Sequence, residues 1–536
     1  MIVKTKRRER TRRLIAALGL TVLVSNGILV MSRVQAAPAG SLGYDALLDS
    51  GSLSFVSRIV GAQAMWANGY TGKDVDVAVI DTGVARVAGL DHIGKVIDGP
   101  DLSFDSQNLA LAYNDGFGHG TNMASIIAGS DVAPGKTRKS CGSCLVASLY
   151  SDTTKFVGIA PEARIVNMKV GASDGATDVS QVIAAVDWVV QHRRDNGLNI
   201  KVISLSYGTD STQFSDVDPL AYAVDLAWRN GIVVVASAGN DGLATPSLAN
   251  PAYNPRILAV GAIDTRNTLD IADDFVPGFA QHGTAERGVD VVAPGAHLLG
   301  LRVPGSFIDA NVTTGKVGTR FQRGSGTSQS AAVVAGVAAL LAQKYPNATP
   351  DQIKALITTA ARPTVSTTQT PEWLKPFADA AVQWWQGSGV VDASASLKIS
   401  NLPSATSLPT TAAGTGLLEA ARGSSHVFSQ GVALSGEKDI LSAPWDAKRW
   451  RKEAAALSSW NGGVWNGLRW SGDSWTGLRW SSAVWTGSDW TGLSWSGLRW
   501  SAMVWDGLRW SGAGWTGLRW SGEAWEGLRW STSGWV

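Results

Sequence analysis

Apolar residues along the chain fall into two alternating patterns between residues 75 and 262. Short, continuous apolar runs bounded by turn residues predict buried strands at Val75–Ile80, Ala163–Val170, Lys201–Ser206, Ile232–Ala236 and Ile257–Ala262. Apolar residues at helical spacing predict helices between them, at Ser125–Ala128 (continuing a helix that His119 opens), Val179–Arg193 and Pro219–Asn230. Strands that alternate with helices predict an α/β domain with a mainly parallel sheet.

The same pattern predicts further helices on both sides of this core and sets the domain organisation. They cover Ile59–Tyr70, Gln352–Ala361 and Ala378–Trp385. We expect a short lead-in at residues 37–57, a domain large enough to be a catalytic domain at 58–398 and a Trp-rich repeat array at 441–536. Residues 399–440 are rich in Ser, Thr, Pro and Ala, which predicts a linker.

The N-terminus has the pattern of an export signal. Basic residues up to Arg13 precede an apolar run over Leu14–Met31, and Val-Gln-Ala at residues 34–36 suits cleavage. We interpret residues 1–36 as a signal peptide and expect a secreted or cell-surface protein. An uncleaved membrane anchor is the alternative, because the apolar run approaches the length that spans a bilayer.

Charge argues against nucleic acid as a partner. The chain has 46 Lys and Arg and 44 Asp and Glu, but residues 1–36 hold eight of the basic residues and one acid. The remainder has 38 basic and 43 acidic residues, a net charge of −5. A mildly acidic chain lacks the basic field that attracts nucleic acid.

The two cysteines, Cys141 and Cys144, form a single Cys-x-x-Cys motif. A zinc site would need two further ligands, and no thioredoxin-like context surrounds the motif. In an exported chain we expect a local disulfide that closes a surface loop.

Tryptophan recurs at every fifth position from Trp460 to Trp535, sixteen in all. A period of five gives no single face on a helix and alternates between the faces of a straight strand. Either the chain bends at every unit, or both faces of each strand carry Trp. The array is a cell-surface or glycan attachment module, a self-packing structural domain or a low-complexity spacer; the sequence leaves these three readings open.

Four polar residues stand where this fold places chemistry. Asp81 follows a buried strand, His119 opens a helix between glycines, and Asn240 follows the strand Ile232–Ala236. Ser328 stands on a Gly-x-Gly-Thr turn before an apolar, helical run. A serine needs a base to become a nucleophile, a histidine supplies it, and a buried carboxylate orients the imidazole. The Asn240 amide is suited to stabilise an oxyanion.

These stretches resemble the subtilisin-like serine peptidases, the subtilases, over about residues 58–398. The resemblance rests on Val77–Val84, Gly118–Thr121, Val157–Ala163, Ile203–Gly208, Ala238–Asn240 and Gly326–Ser328, in the family's order of Asp, His and Ser. It implies a three-layer α/β sandwich with a doubly wound sheet. It also implies an endopeptidase that forms an acyl-enzyme, and polypeptide substrates.

The resemblance assigns roles residue by residue. Asp81 orients the base His119, Ser328 is the nucleophile, and Asn240 with the backbone N–H of Ser328 stabilises the oxyanion. An extended substrate would lie along two segments, which are Ser204, Leu205, Ser206, Tyr207, Gly208 and Ser237, Ala238, Gly239. The chemistry requires no cofactor; structural calcium is common in the family, and its ligands are unassigned here. A catalytically silent surface binding or adhesion protein is the alternative function.

We predict that the activity resists peroxide. The family commonly has Met directly after the nucleophile, whereas this chain has Gln329, so the neighbouring thioether that peroxide oxidises is absent. Residual peptidase activity after exposure to graded peroxide tests this. Rapid inactivation at low dose would contradict it.

Overall fold

The computed structural model describes residues 42–108, 110–133, 147–242, 245, 247–312, 314–363, 385–399, 401–404, 411–429, 432–461, 464–465 and 468–469. The chain divides into two units, Met1–Gly43 and Tyr44–Val536, and every element named below belongs to the second. The predicted signal peptide, the cysteine loop and most of the Trp array lie outside the described residues.

A seven-stranded sheet forms the centre, and every neighbouring pair of its strands is parallel. Its spatial order is β2-β3-β1-β4-β5-β6-β7. The strands are β1 (Asp76–Asp81), β2 (Val96–Asp98), β3 (Arg164–Lys169), β4 (Ile200–Leu205), β5 (Val233–Ser237), β6 (Leu258–Ile263) and β7 (Val291–Pro294). The strand order reverses around β1, so the edge beyond its carboxyl end is where such folds place ligands.

The helices cover both faces of this sheet, as the α/β prediction requires. They are α1 (Leu53–Ile59), α2 (Ala62–Ala67), α3 (His119–Ala128), α4 (Ala147–Tyr150), α5 (Val179–His192), α6 (Pro219–Arg229), α7 (Phe307–Asn311), α8 (Thr327–Lys344), α9 (Pro350–Ala360), α10 (Leu418–Arg422) and α11 (Ala447–Ala455). Helices α3 and α8 contact each other and the sheet, and so do α5 and α6. Short 3₁₀ turns lie at Phe104–Gln107, Asp195–Gly197, Ile271–Asp273 and Ser394–Lys398.

Smaller strands complete the fold. They form three antiparallel sheets, made of β8 (Leu298–Leu301), β9 (Lys316–Val317) and β10 (Phe321–Gly324), then β11 (Phe428–Ser429) and β12 (Val432–Ala433), then β13 (Trp460–Asn461), β14 (Val464–Trp465) and β15 (Leu468–Arg469). Among the described residues no helix is both long enough and apolar enough to cross a bilayer.

Local chemistry explains where the elements begin. All six residues of β1 are buried, as expected for a strand covered on both faces. Asp178 caps α5 in a capping box with Gln181, and Asp218 caps α6 ahead of a proline in its first turn. The helix predicted at Ile59–Tyr70 is found as the shorter α2, Ala62–Ala67, and the preceding helix α1 ends at Ile59. Gly61 separates them, because its backbone is left-handed with φ 69°.

Residues in the predicted linker have packed structure. Leu418, Ala421 and Ile440 are fully buried, and the Arg422 guanidinium is enclosed with the carboxylate of Asp178. The described part of residues 399–440 is therefore anchored to the sheet domain, because apolar side chains that the composition had hidden among Ser, Thr and Pro pack against α5 and α6.

The first tryptophans of the C-terminal region also pack against α5. The indole N–H groups of Trp450 and Trp465 both donate to Asp187 Oδ2, at 2.8 and 2.9 Å. The indole N–H of Trp460 donates to the carbonyl of Ala184 at 2.9 Å. In β13–β15 the chain reverses direction between two-residue strands, so these first units follow the bending alternative.

We predict that Asp187 makes stability fall as pH rises from about 4 to about 7. Burial raises the pKa of this carboxyl to about 7, although the indole donors lower it, so the folded state holds the proton more tightly than the unfolded chain. The group's contribution to the free energy of unfolding therefore declines by up to about 1.4 kcal/mol per pH unit in that window.

Urea denaturation of Asp187→Asn at several pH values checks this. The wild type should lose stability relative to this variant as pH rises, since Asn does not titrate. Asp195→Asn, at an exposed carboxylate beyond the same helix, controls for the loss of one negative charge. A pH-independent difference between wild type and Asp187→Asn would contradict the prediction.

Candidate active site

Asp81 and His119 meet at the carboxyl edge of the sheet. Asp81 is the last residue of β1, and His119 is the first residue of α3. His119 Nδ1 lies 2.7 Å from Asp81 Oδ1, and both side chains are buried. A carboxylate in this position holds the imidazole in one orientation and leaves Nε2 as the nitrogen for chemistry.

A buried network built on Asp115 supports this pair. Asp115 Oδ1 accepts the N–H of Gly118 at 2.6 Å and the hydroxyl of Thr82 at 2.8 Å, and Oδ2 accepts the N–H of Thr121 at 2.7 Å. The Thr82 hydroxyl in turn accepts the N–H of Gly120 at 2.9 Å. Burial raises the pKa of Asp115, against these donors, which lower it. The network thus fixes the turn that delivers His119 to Asp81.

Gly120 permits the close approach of α3 to β1. A Cβ at this position would lie 2.2 Å from the carbonyl oxygen of Gly83 and 3.1 Å from Asp81 Cβ. Any larger residue would push the helix away from the carboxylate, which explains the glycine after the histidine.

Ser328 lies inside the first turn of α8. The sequence suggested a serine on the turn before the helix, but α8 already begins at Thr327. The turn is at Gly326, whose extended backbone leads from β10 into the helix. Ser328 is buried, and its carbonyl accepts the hydroxyl of Ser206 at 3.4 Å. Positions in the first turn have free N–H groups and the positive end of the helix dipole beside them.

The Asn240 side-chain amide is fixed through its oxygen to Thr327, the residue before Ser328. Asn240 Oδ1 accepts the N–H of Thr327 at 2.9 Å and is 3.1 Å from the Thr327 hydroxyl. Asn240 Nδ2 is buried and makes no hydrogen bond within the described residues. An amide fixed through its oxygen presents its N–H₂ to an incoming group, which is the arrangement that stabilises a developing oxyanion.

The two halves of the site are joined by the packing of α3 on the strands that lead to α8. Asn122 Nδ2 donates to the carbonyl of Gln322 in β10 at 3.3 Å, and the Ser125 hydroxyl accepts the N–H of Leu301 in β8 at 2.8 Å. A shift of α3 would therefore disturb the strand that precedes Ser328.

The predicted groove residues divide into two groups. Ser204 and Leu205 are the last two residues of β4, where both are buried and both pair with β5. Ser206, Tyr207 and Gly208 follow the strand, and Ser237 ends β5. Ala238 is buried, and the Gly239 N–H donates to the Thr327 hydroxyl at 3.1 Å, which ties the second segment to α8.

Sequence reasoning missed three residues of the site, which are Thr82, Asp115 and Thr327. Thr82 and Thr327 adjoin Asp81 and Ser328, and Asp115 precedes His119 by four residues, but none of the three performs an obvious chemical step. A polar residue in a stretch that must be buried was the only available signal, since such a residue requires partners.

Two predictions on ligands and cysteines remain open. Among the described residues no group of three or more His, Cys, Asp or Glu side chains is arranged to hold a metal ion, so structural calcium stays a prediction without assigned ligands. Cys141 and Cys144 lie outside the described residues, so their disulfide also stays a prediction.

Comparison with known proteins supports the family resemblance. The model of the subtilase family matches residues 72–389. The serine protease AprX of Bacillus subtilis is 34% identical over 293 residues, which cover 54% of this chain and 61% of that protein. Subtilisin DY of Bacillus licheniformis is 29% identical, over 56% of this chain and 89% of that protein. The minor extracellular protease Epr of Bacillus subtilis is 28% identical, over 54% of this chain and 35% of that protein.

We predict that Thr82→Val lowers kcat by roughly 10- to 100-fold, since misplacing a catalytic group by about 1 Å costs up to about 100-fold. Valine has the shape of threonine but leaves the Gly120 N–H without its acceptor and removes one of the two hydrogen bonds to Asp115 Oδ1. KM should change little. Steady-state kinetics on a chromogenic peptide, with Thr82→Ser as the variant that keeps the hydroxyl, checks this. Equal kcat in wild type and Thr82→Val would refute the supporting role.

Proposed function

Because the chain belongs to the subtilase family, we propose that it is a serine endopeptidase that hydrolyses peptide bonds through Asp81, His119 and Ser328. The observation that carries the proposal is the buried contact of 2.7 Å between His119 Nδ1 and Asp81 Oδ1 at the edge where α8 begins. The pairing serves general-base catalysis, since it fixes the tautomer whose Nε2 accepts a proton.

The first half-reaction forms an acyl-enzyme. Ser328 Oγ attacks the carbonyl carbon of the scissile bond while His119 Nε2 takes the hydroxyl proton. The carbonyl oxygen becomes an oxyanion, and Asn240 Nδ2 donates a hydrogen bond to it. When the C–N bond breaks, His119 gives its proton to the leaving amine. Asp81 stays ionised throughout and stabilises the charged imidazole.

The second half-reaction releases the acid. A water molecule attacks the ester carbon and gives its proton to His119 Nε2. The ester C–O bond breaks, and Ser328 Oγ takes the proton back. Substrates would be polypeptides in extended form along Ser206–Gly208 and Ser237–Gly239, because a strand-like groove binds the main chain and tolerates many sequences.

Export is part of the proposal. The signal-like residues 1–36 and the acidic remainder of the chain suit an enzyme that acts outside the cell. The first tryptophans also contact one another, with ring centroids 5.0 Å apart for Trp445 and Trp450 and 6.4 Å apart for Trp460 and Trp465, which supports a self-packing role for these units. Attachment to cell walls or glycans remains the second hypothesis for the array.

We predict that an alkyl fluorophosphonate labels the protein at Ser328 and that Ser328→Ala abolishes both labelling and cleavage of a peptide library. The reagent reacts with an activated serine hydroxyl, which the variant lacks. Mass spectrometry of the labelled peptide and product analysis of the library provide the two measurements. A folded wild type that neither labels nor cleaves would instead support the catalytically silent binding protein.

A further inference from the structure

A short segment from beyond the catalytic domain lies against the loop that follows β4. This segment, the strap, comprises residues 417–424 and contains helix α10. The carbonyl of Ala421 accepts the Thr209 hydroxyl at 2.6 Å, and the carbonyl of Ala420 accepts the N–H of Thr212 at 3.1 Å. The N–H of Ser424 donates to a carboxylate oxygen of Asp210 at 2.8 Å. The strap is thus bonded to the chain directly after the groove residues Ser206–Gly208.

The other side of the strap is bonded to the loop that follows β3. Arg422 Nε donates to Asp178 Oδ1 at 2.6 Å, and neither side chain is exposed. Thr177, beside Asp178, donates its hydroxyl to the carbonyl of Val170 at 2.5 Å, so this anchor sits at the end of β3. Strands β3 and β4 flank β1 in the sheet. The strap therefore connects the segments that follow the two strands on either side of β1, which ends at Asp81.

The strap also lies close to the nucleophile along the groove. The Ser206 hydroxyl contacts the carbonyl of Ser328 at 3.4 Å. Thr209 follows three residues later, a chain length of about 10 Å at most. A peptide that extends along Ser206–Gly208 would meet the strap after about three of its own residues, since both chains advance at about 3.3 Å per residue.

Buried contacts hold the strap in one position. Leu418 and Ala421 are fully buried, and Arg422 also donates to the carbonyls of Gly436 and Lys438. Gly423 has φ 60°, and a Cβ there would lie 2.4 Å from the carbonyl oxygen of Asp210. A glycine with a left-handed backbone permits this close approach. Removing one partner of a buried ion pair leaves an uncompensated charge, so the contact opposes opening.

We propose that the strap ends the substrate groove at Thr209 and limits recognition on that side of the scissile bond to about three residues. Arg422 is the positioning residue that holds the strap in place through its contact with Asp178. The inference rests on the proposed peptidase function, and it adds a determinant of substrate specificity that comes from outside the region matched by the subtilase model, residues 72–389.

The test is a set of peptides that share one cleavage site and are lengthened one residue at a time on either side. On the side of the scissile bond that extends along Ser206–Gly208, the wild type should gain less than about twofold in kcat/KM from the fourth and later residues. Those residues would find no groove to bind. In Arg422→Met the same additions should raise kcat/KM by about tenfold or more, as remote binding energy becomes usable. Arg422→Lys, which keeps the charge, should stay closer to the wild type.

Active-site labelling and thermal melting report whether each variant is folded. If Arg422→Met does not fold, the milder Thr209→Val, which removes one hydrogen bond to the strap, takes its place beside the wild-type series. Wild-type kcat/KM that keeps rising with the fourth and fifth residues on both sides overturns the strap proposal. Absence of labelling and of all cleavage would instead overturn the peptidase function, so the two failures are distinct.

Discussion

The site depends on the burial of the Asp81 carboxylate at the edge of the sheet, away from water. A buried charge is costly unless hydrogen bonds and a partner replace its hydration. Asp81 obtains them from His119 Nδ1 and from the N–H of Thr82, both at 2.7 Å. The structure around the pair follows from this need, because Asp115 and Thr82 hold the His119 turn and Gly120 leaves room for it.

The central sheet could be predicted because the residues within each strand are enough to indicate the strand. The sequence predicts a strand at Val75–Ile80 and a helix at Pro219–Asn230, and the structure has them at Asp76–Asp81 and Pro219–Arg229. Continuous burial on both faces and a proline at a helix start are signals within a few residues. The sequence predicts four side chains on one edge because parallel strands bring their carboxyl ends together, and the structure has the contacts of His119 with Asp81 and of Asn240 with Thr327. The groove limits were less predictable, because nothing local distinguishes Ser204 and Leu205, which end β4, from the buried residues Ser206–Gly208 that follow the strand.

What the sequence could not reveal depends on contacts between distant residues. Arg422 meets Asp178 across 244 positions, and Trp450 meets Asp187 across 263. A stretch rich in Ser, Thr and Pro has the composition of a linker whether or not its few apolar residues find a partner. Thr82 and Asp115 were missed for a related reason, since a hydroxyl that bridges two buried groups has no signature of its own.

Helix α5 shows why the folded unit extends past the family's boundary. Its cap, Asp178, is paired with Arg422, and Asp187 in its middle accepts the indoles of Trp450 and Trp465. Burial of each large apolar side chain stabilises a fold by about 1.5–3 kcal/mol, and fully buried Trp450 and Trp465 belong to this interface. A chain cut at residue 389, where the family match ends, would expose both carboxylates and the apolar face around them. The catalytic edge and the C-terminal segment are therefore stabilised by one another, because the same helix contacts both.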